Sequence, residues 1–392
     1  MNRIFLGILG GCLLCGTPWA NGQEKIRFQK TQLDKEFRSE GVAVGDFNKD
    51  GKMDIAAANV WFEAPAWKMH PIVESPETFN PLRYSRSFCN FADDVNGDGW
   101  TDLIVVDFPG TQTWWFENPK EAGGYWKKHE CISVTNNESP NYLDVDGDKR
   151  RELLLGYSPD AKNFDGPDRR LALVRVTDEP TKPWKIQDIS AKAAPGTRRF
   201  EHGLGVGDMD GDSLNDILTP KGWWKNPGRE APGEWSFYPA NLGQNCAQMY
   251  VYDFDGDGDQ DVLSSSAHNF GIWWHEQTPQ GFVEHEIDKS FSQTHALCMA
   301  DINGDGLPDF ITGKRWWAHG PKGDPGSDGP AVVYWFELSR TKDGPKWTPH
   351  KVDDNSGIGT QFEVIDINAD GLLDIVTSNK QGTFLLQQTR AE

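Results

Sequence analysis

Seven acidic nonapeptides recur along this chain, and they constrain its fold more than any other feature. They read DFNKDGKMD from Asp46, DVNGDGWTD from Asp94, DVDGDKRRE from Asp144, DMDGDSLND from Asp208, DFDGDGDQD from Asp253, DINGDGLPD from Asp301 and DINADGLLD from Asp366. Their starts lie 48, 50, 64, 45, 48 and 65 residues apart. A repeat at this period means one supersecondary unit copied and stacked. The 392 residues therefore do not read as two or three unrelated domains.

Each nonapeptide crowds like charges that repel unless a cation sits among them. Oxygens at positions 1, 3 and 5, with glycine at position 6, are what a calcium loop offers. The expected ligand sets are Asp46, Asn48, Asp50 and Asp54; Asp94, Asn96, Asp98 and Asp102; Asp144, Asp146, Asp148 and Glu152; and Asp208, Asp210, Asp212 and Asp216. They continue with Asp253, Asp255, Asp257 and Asp261; Asp301, Asn303, Asp305 and Asp309; and Asp366, Asn368, Asp370 and Asp374. The third set fits least well, with Lys149 in place of glycine and Glu152 in place of the last Asp. The seventh has Ala369 where most copies have glycine. The flanks QMYVY and VLSSS of the Asp253 copy read as strands, not as the helices of an EF-hand.

Around each turn the order is constant. An apolar run leads in and a second leads out. An aromatic strand follows (TWWFENP, GIWWHE), then one of the type W-x-x-H-x-I (WKMHPI, WKKHECI). These are four strands, A to D, with no helical stretch. The expected fold is all-β, a seven-bladed β-propeller of four-stranded blades, with the 17 tryptophans packed between blades. The last copy ends at its third strand, TFLLQQ. The N-terminal IRFQKTQLDKEF resembles FVEHEIDKSF and is expected to supply the missing strand and close the ring.

Turns of the form DxDGDGxxD in a β-repeat resemble the FG-GAP and VCBS repeats of integrin-like propellers, over residues 26–392. The resemblance implies the propeller and its calcium turns. It names no activity.

The ligand positions of the turns hold 24 carboxylates, more than the net charge of −20. The acidity is thus metal-ligand acidity, and it does not demand a cationic partner. No basic stripe appears, which excludes nucleic acid as a partner. MNRIFLGILGGCLLCGTPWANGQ reads as a secretory leader over residues 1–22, leaving 23–392 as a single propeller, secreted or periplasmic. A lipobox ending at Cys12 is the rival reading, giving a lipid-anchored protein. No other segment is a transmembrane candidate. Cys89, Cys131, Cys246 and Cys298 show no disulfide or zinc spacing and read as buried free thiols.

Alternating strand direction puts the acidic turns and C–D turns on one face, and the B–C loops and D–A linkers on the other. The two longest repeats carry their extra residues on that second face, in SPDAKNFDGPDRR, AKAAPGTRRFEH and RWWAHGPKGDPGSDGP. Loops on a rigid scaffold are where binding and chemistry concentrate. Of nine histidines, His70, His129, His285 and His350 recur in strand D and read as framework, as does His275. His202 and His295 lie six residues before their acidic turns, pointing at the ring axis. Glu40 and Glu138 hold the same place in two other blades; Phe88, Ala247 and Thr360 hold it in the rest. Two His and two Glu suit a divalent transition metal such as zinc.

The ends of the B strands add Tyr157, Lys221, His268, Lys314 and Lys380 to that face. Loops add Arg83, Arg86, Arg199, Trp316 and His319. Cations and aromatic faces around a polar pocket suit a carbohydrate ligand. Two functions stay open. One is a sugar-acting carbon–oxygen lyase or dehydratase, with His202, His295, His268, Tyr157 and Lys314 as catalytic candidates and Arg83, Arg86, Arg199, Lys221, Trp316, His319 and Lys380 as substrate contacts. For this, HALCMADINGDG resembles the propeller of aldos-2-ulose dehydratases, whose cupin-type domains are missing here. The other is a non-catalytic propeller that binds a glycan or a protein. The chain has no G-x-S-x-G, P-loop or H-E-x-x-H, and no C-x-x-C beyond the leader.

Overall fold

Each acidic nonapeptide is a tight turn between two antiparallel strands, and its residues dictate that shape. Positions 4 and 6 adopt positive φ in every copy, from Lys49 (62°) and Gly51 (84°) to Ala369 (59°) and Gly371 (83°). Glycine does this without a Cβ penalty, which explains the G-x-G spacing. The backbone then curls around the first carboxylate. Asp301 accepts from the N–H groups of Gly304, Asp305 and Gly306 at 2.7–3.1 Å. Lys149 (71°) and Ser213 (70°) take the same conformation at position 6 with a side chain in place.

The ninth residue does something else. Asp54, Asp102, Glu152, Asp216, Asp261, Asp309 and Asp374 are all buried. One oxygen of each accepts the N–H of position 2 in its own turn. In six of them the other oxygen accepts an N–H at or just past the end of strand C. For Asp309 these donors are Ile302 (3.1 Å) and Leu338 (2.9 Å); for Asp102 they are Val95 (3.2 Å) and Asn118 (2.8 Å). A single carboxylate thereby ties the A–B turn to the third strand.

A computed structural model describes residues 26–120, 123–228 and 233–390. The expected leader and its Cys12 alternative lie outside them. The described residues contain strands and no helix. The strands follow one another as antiparallel meanders, of which Ala43–Gly45, Asp54–Ala57, Val60–Glu63 and Lys68–Pro71 are the first. Two larger sheets each join two such meanders, through Tyr157 opposite Thr135 and through a parallel pairing of Gly205–Gly207 with Met249–Tyr252. The N-terminal strand Ile26–Asp34 runs antiparallel to Gly382–Arg390 and is the outer strand of the last sheet, the pairing expected from its sequence. The core lies between neighbouring sheets. Val42, Ile55 and Phe62 of the first sheet pack against Ile367, Val376 and Leu385 of the last.

The framework histidines are explained by their contacts. His70, His129, His285 and His350 each stack on the tryptophan opposite, Trp61, Trp115, Trp274 and Trp335, at 4.2–4.6 Å. Each also bonds a glutamate of the same strand C at 2.6–3.0 Å. His275 is buried against Ser264 at 2.8 Å. The four cysteines are free: Cys89, Cys131 and Cys246 are buried and Cys298 is partly exposed. No helix among the described residues is long and apolar enough to cross a membrane.

The ninth-position clamp is testable in urea unfolding with calcium held in excess. Asp309→Ala leaves two buried N–H groups without acceptors and should lower stability by about 2–6 kcal/mol, whereas Asp309→Asn keeps one acceptor and should lose about half as much. Equal, small losses in both variants would show that the carboxylate is not a structural tie.

Candidate functional site

The inner strands are preceded by short linkers that dive into the molecule, and these carry the residues of interest. Glu40, Glu138, His202 and His295 lie six residues before their turns and are 1%, 6%, 5% and 0% exposed. They converge, as their shared position implies. His202 Nε2 lies 3.1 Å from His295 Nε2, and Glu138 Oε2 lies 3.2 Å from His295 Nε2 and 3.6 Å from that of His202. His268 reaches in from the end of its B strand, with Nε2 3.0 Å from that of His202. Three imidazole nitrogens thus meet around one point.

At the centre of this cluster sits a residue the sequence reading missed. Arg315 is 2% exposed. Its Nη1 donates to His295 Nε2 at 2.8 Å and lies 3.5 Å from Glu138; its Nη2 donates to Glu40 at 3.0 Å. Two carboxylates hold one buried guanidinium, so desolvation is offset and the cation is retained. Burial pushes the Glu40 carboxyl upward despite Arg315 and Lys380. Burial also opposes ionisation of Glu138, but His202, His295 and Arg315 outweigh it and hold this carboxyl low. Burial brings His202 down to about 4 and His295 well below its usual value.

His202 Nε2 and His295 Nε2 stand 3.1 Å apart with the Glu138 carboxylate beside them. That spacing suits a cation: two nitrogens on a tetrahedral zinc lie about 3.3 Å apart. His202, His268 and His295 all present ligand atoms within 4.8 Å of one another.

Of the four residues expected at the axis, Glu40 is held by Arg315, with Lys380 Nζ 3.8 Å away, and His268 stands beside His202 instead. Lys380 stands over the Tyr84 ring at 4.5 Å, and burial lowers its ammonium to about 8. Two expected catalytic residues are occupied elsewhere. Tyr157 donates its hydroxyl to Asp188 at 2.5 Å within an apolar cluster, and burial raises its pKa. Lys314 is 1% exposed and bonds the backbone carbonyls of Gly326 and Gly329, fastening the loop that follows it.

The expected substrate contacts scatter. Arg86 pairs with the buried Asp107, with Nη2 at 3.0 Å from its Oδ2. Arg199 donates to the Pro109 carbonyl at 2.8 Å and lies among the rings of Phe108, Phe164 and Phe200. Arg83 and Lys221 are exposed in turns. Trp316 stacks on Trp317 at 4.8 Å, with Lys314 5.9 Å from its ring centre. His319 alone joins the imidazoles, stacked on His268 at 4.5 Å and bonded to Asp324. Arg315 and Asp324 both belong to the long loop of the sixth repeat. Its length was the only signal for them, because no other repeat has an equivalent position.

The acidic turns also fit cations. In the three copies with Asp at position 3, the carboxylates of positions 1, 3 and 9 converge within 4.8 Å, at Asp144, Asp146 and Glu152, at Asp208, Asp210 and Asp216, and at Asp253, Asp255 and Asp261. The first two are shared with side-chain cations. Arg175 bonds Asp146 at 3.0 Å and Glu152 at 3.3 Å, and Lys225 bonds Asp210 and Asp212. The fit is cleanest at Asp253, where the neighbouring Arg340 bonds the backbone carbonyls of Asp253 and Phe254 instead.

Arg315→Leu would leave Glu40 and Glu138 buried without their cation. Stability should fall by about 3–5 kcal/mol. The loss should shrink at acid pH, where the raised Glu40 carboxyl takes up a proton in the fold. Guanidinium chloride unfolding at pH 5 and pH 8 checks both; a small, pH-independent loss would contradict the assignment.

A protein-family model described as the FG-GAP-like repeat matches residues 94–155 and 223–312. No curated protein matches the sequence. Similar solved structures include an Agrocybe aegerita lectin that recognises non-reducing terminal N-acetylglucosamine, at 14% identity over 95% of this chain and 87% of that one, with a TM-score of 0.46. BBS1N in complex with ARL6DN is 10% identical over 91% and 93%, with a TM-score of 0.51. The rhamnogalacturonan lyase YesW is 11% identical over 92% and 75%, with a TM-score of 0.44. At such identities likeness speaks for the fold alone. Over the matched segments the repeats are FG-GAP-like, and the all-β fold that carries them is a β-propeller.

Proposed function

We propose that this chain is a secreted or periplasmic propeller of seven four-stranded blades, closed by its N-terminal strand and stabilised by calcium in its acidic turns. On the face opposite those turns it holds a divalent transition metal and acts on a carbohydrate. One observation carries the metal centre: the Nε2 atom of His202 lies 3.0 Å from that of His268 and 3.1 Å from that of His295, beside Glu138. His202, His268 and His295 would hold the ion and Glu138 would balance its charge. A divalent ion there would polarise a sugar carbonyl and ease removal of a neighbouring proton, the chemistry of a β-elimination.

The chain's own groups prepare the site. The Phe200 backbone fixes the His202 ring. Glu40 holds Arg315, which must give up His295 and close on Glu138 when the ion enters. Lys314 fastens the loop bearing Trp316, Trp317 and His319 over the rim. These aromatic faces suit a sugar. Burial favours a second reading. His202, His295 and Arg315 are 5% exposed or less, which suits a centre that shapes a glycan- or protein-binding surface without touching substrate.

Elemental analysis of the purified protein tests the centre. The wild type should carry stoichiometric zinc or manganese, and His202→Ala/His295→Ala should lose one equivalent while calcium stays. Wild type with calcium alone, or a variant with unchanged transition metal, would refute it. Loss of the centre in the variant should also abolish elimination from keto-sugars or uronic polysaccharides; turnover that survives it would remove the metal from the chemistry.

Calcium is tested separately. Excess EGTA should lower Tm by several degrees, because the ion binds only the folded turns. An unchanged Tm would mean that the turns hold themselves together without it.

A further inference from the structure

His268 has two ring nitrogens, and only one of them faces His202. The other, Nδ1, is buried and lacks a hydrogen-bond partner among the described residues. It looks onto the Asp324 carboxylate, 3.8 Å from Oδ1. On the far side of that carboxylate, His319 Nδ1 lies 2.9 and 3.1 Å from its two oxygens. The three side chains present ligand atoms within 4.8 Å of one another.

Neither neutral tautomer of His268 satisfies this edge of the ring. With the proton on Nε2, a bare Nδ1 faces a carboxylate, lone pair against lone pair. With the proton on Nδ1, 3.8 Å is too long for a hydrogen bond. Positive charge at this edge removes the conflict, and a metal ion between Nδ1 and Asp324 supplies it while using the His319 donor brought to the same point. The loop is built to hold that arrangement. Lys314 fastens Gly326 and Gly329, Ala318 N–H donates to Gln293 at 2.9 Å, and His319 N–H donates to Asp324 at 3.2 Å. His319 is also stacked on His268.

We propose a second divalent transition-metal position, held by His268 Nδ1, His319 and Asp324. It rests on the inner centre proposed above and shares His268 with it. The two ions lie on opposite edges of one imidazole, about 6 Å apart, given metal–nitrogen bonds of about 2 Å on either side of the ring. With an ion on each nitrogen the ring carries no proton; that proton leaves to solvent when the second ion binds. The inner ion is buried, whereas the outer one sits at the rim, where the His319 side chain is 49% exposed. A ligand approaching from solvent meets the outer ion first.

The test uses the full chain with calcium in excess, so that the acidic turns stay filled, and titrates it with Zn(II) and separately with Cu(II). Three proteins are compared: wild type, His319→Ala/Asp324→Asn, and His202→Ala/His295→Ala. His319 is exposed and Asp324→Asn keeps an oxygen to accept the His319 N–H, so the outer variant should keep a Tm close to that of the wild type. The wild type should bind two ions and each variant one. In the Cu(II)-loaded wild type, the bridging ring should couple the two spins, giving an electron paramagnetic resonance signal far below the copper content. The outer variant should show a full signal from one copper. One ion in the wild type, kept in the outer variant and lost in the inner one, would overturn the second position and leave the inner centre standing. One ion lost only in the outer variant would overturn the inner centre instead. No ion in the wild type would overturn both. Two ions with uncoupled spins, or two retained after Asp324→Asn, would overturn the sharing of His268.

Discussion

The ninth carboxylate of each acidic turn is the tie on which this architecture depends. A tight turn between two strands does not by itself fix a third strand. A buried carboxylate that accepts one N–H from the turn on one oxygen and another from the end part of strand C on the other fixes all three. Leaving either donor unmet in the interior would cost more than a typical hydrogen bond contributes. Burial raises these acids, Asp54 to about 6 and Asp309 to about 7, and the carboxylates of positions 1 and 5 push the same way. Cations at the turns relieve that repulsion. Lys52, Lys120, Arg175 and Lys225 supply them from the chain itself in four copies.

With the turns held, the linkers before the inner strands are held as well. That rigidity makes the imidazole cluster possible. Imidazole nitrogens held 3.0–3.1 Å apart would separate on a flexible loop. Here each ring is set by its own repeat, and Arg315 is locked between Glu40 and Glu138. The same constraint makes the long loop of the sixth repeat informative, because both of its ends are anchored and its interior is fastened by Lys314.

The period, the turn chemistry and the strand order were legible in the sequence, because each repeat restates them. The convergence of Glu40, Glu138, His202 and His295 was legible for the same reason: equivalent positions in a repeat face the same way. What the repeat could not carry was any residue without an equivalent. Arg315 and Asp324 stand in the long B–C loop of the sixth repeat, whose sequence no other copy repeats, and no alignment of repeats gives them a direction. Tyr157 and Lys314 show the converse. Both occupy the expected place at the end of a B strand, yet local partners, the Asp188 carboxylate and two loop carbonyls, decide what each side chain does.

By itself, then, the sequence determined an all-β repeat with acidic turns, recurring framework histidines on its outer strands, and an inner position rich in His and Glu. These are short-range patterns, set by strand alternation and by the φ that a turn requires. The tertiary structure decided which partner each inner residue faces. That choice depends on where a guanidinium from one loop lands among carboxylates from blades far away in the chain. Desolvation settles it: a buried cation must be matched, so Arg315 is bonded to Glu40, while His202 and His295 stand beside Glu138.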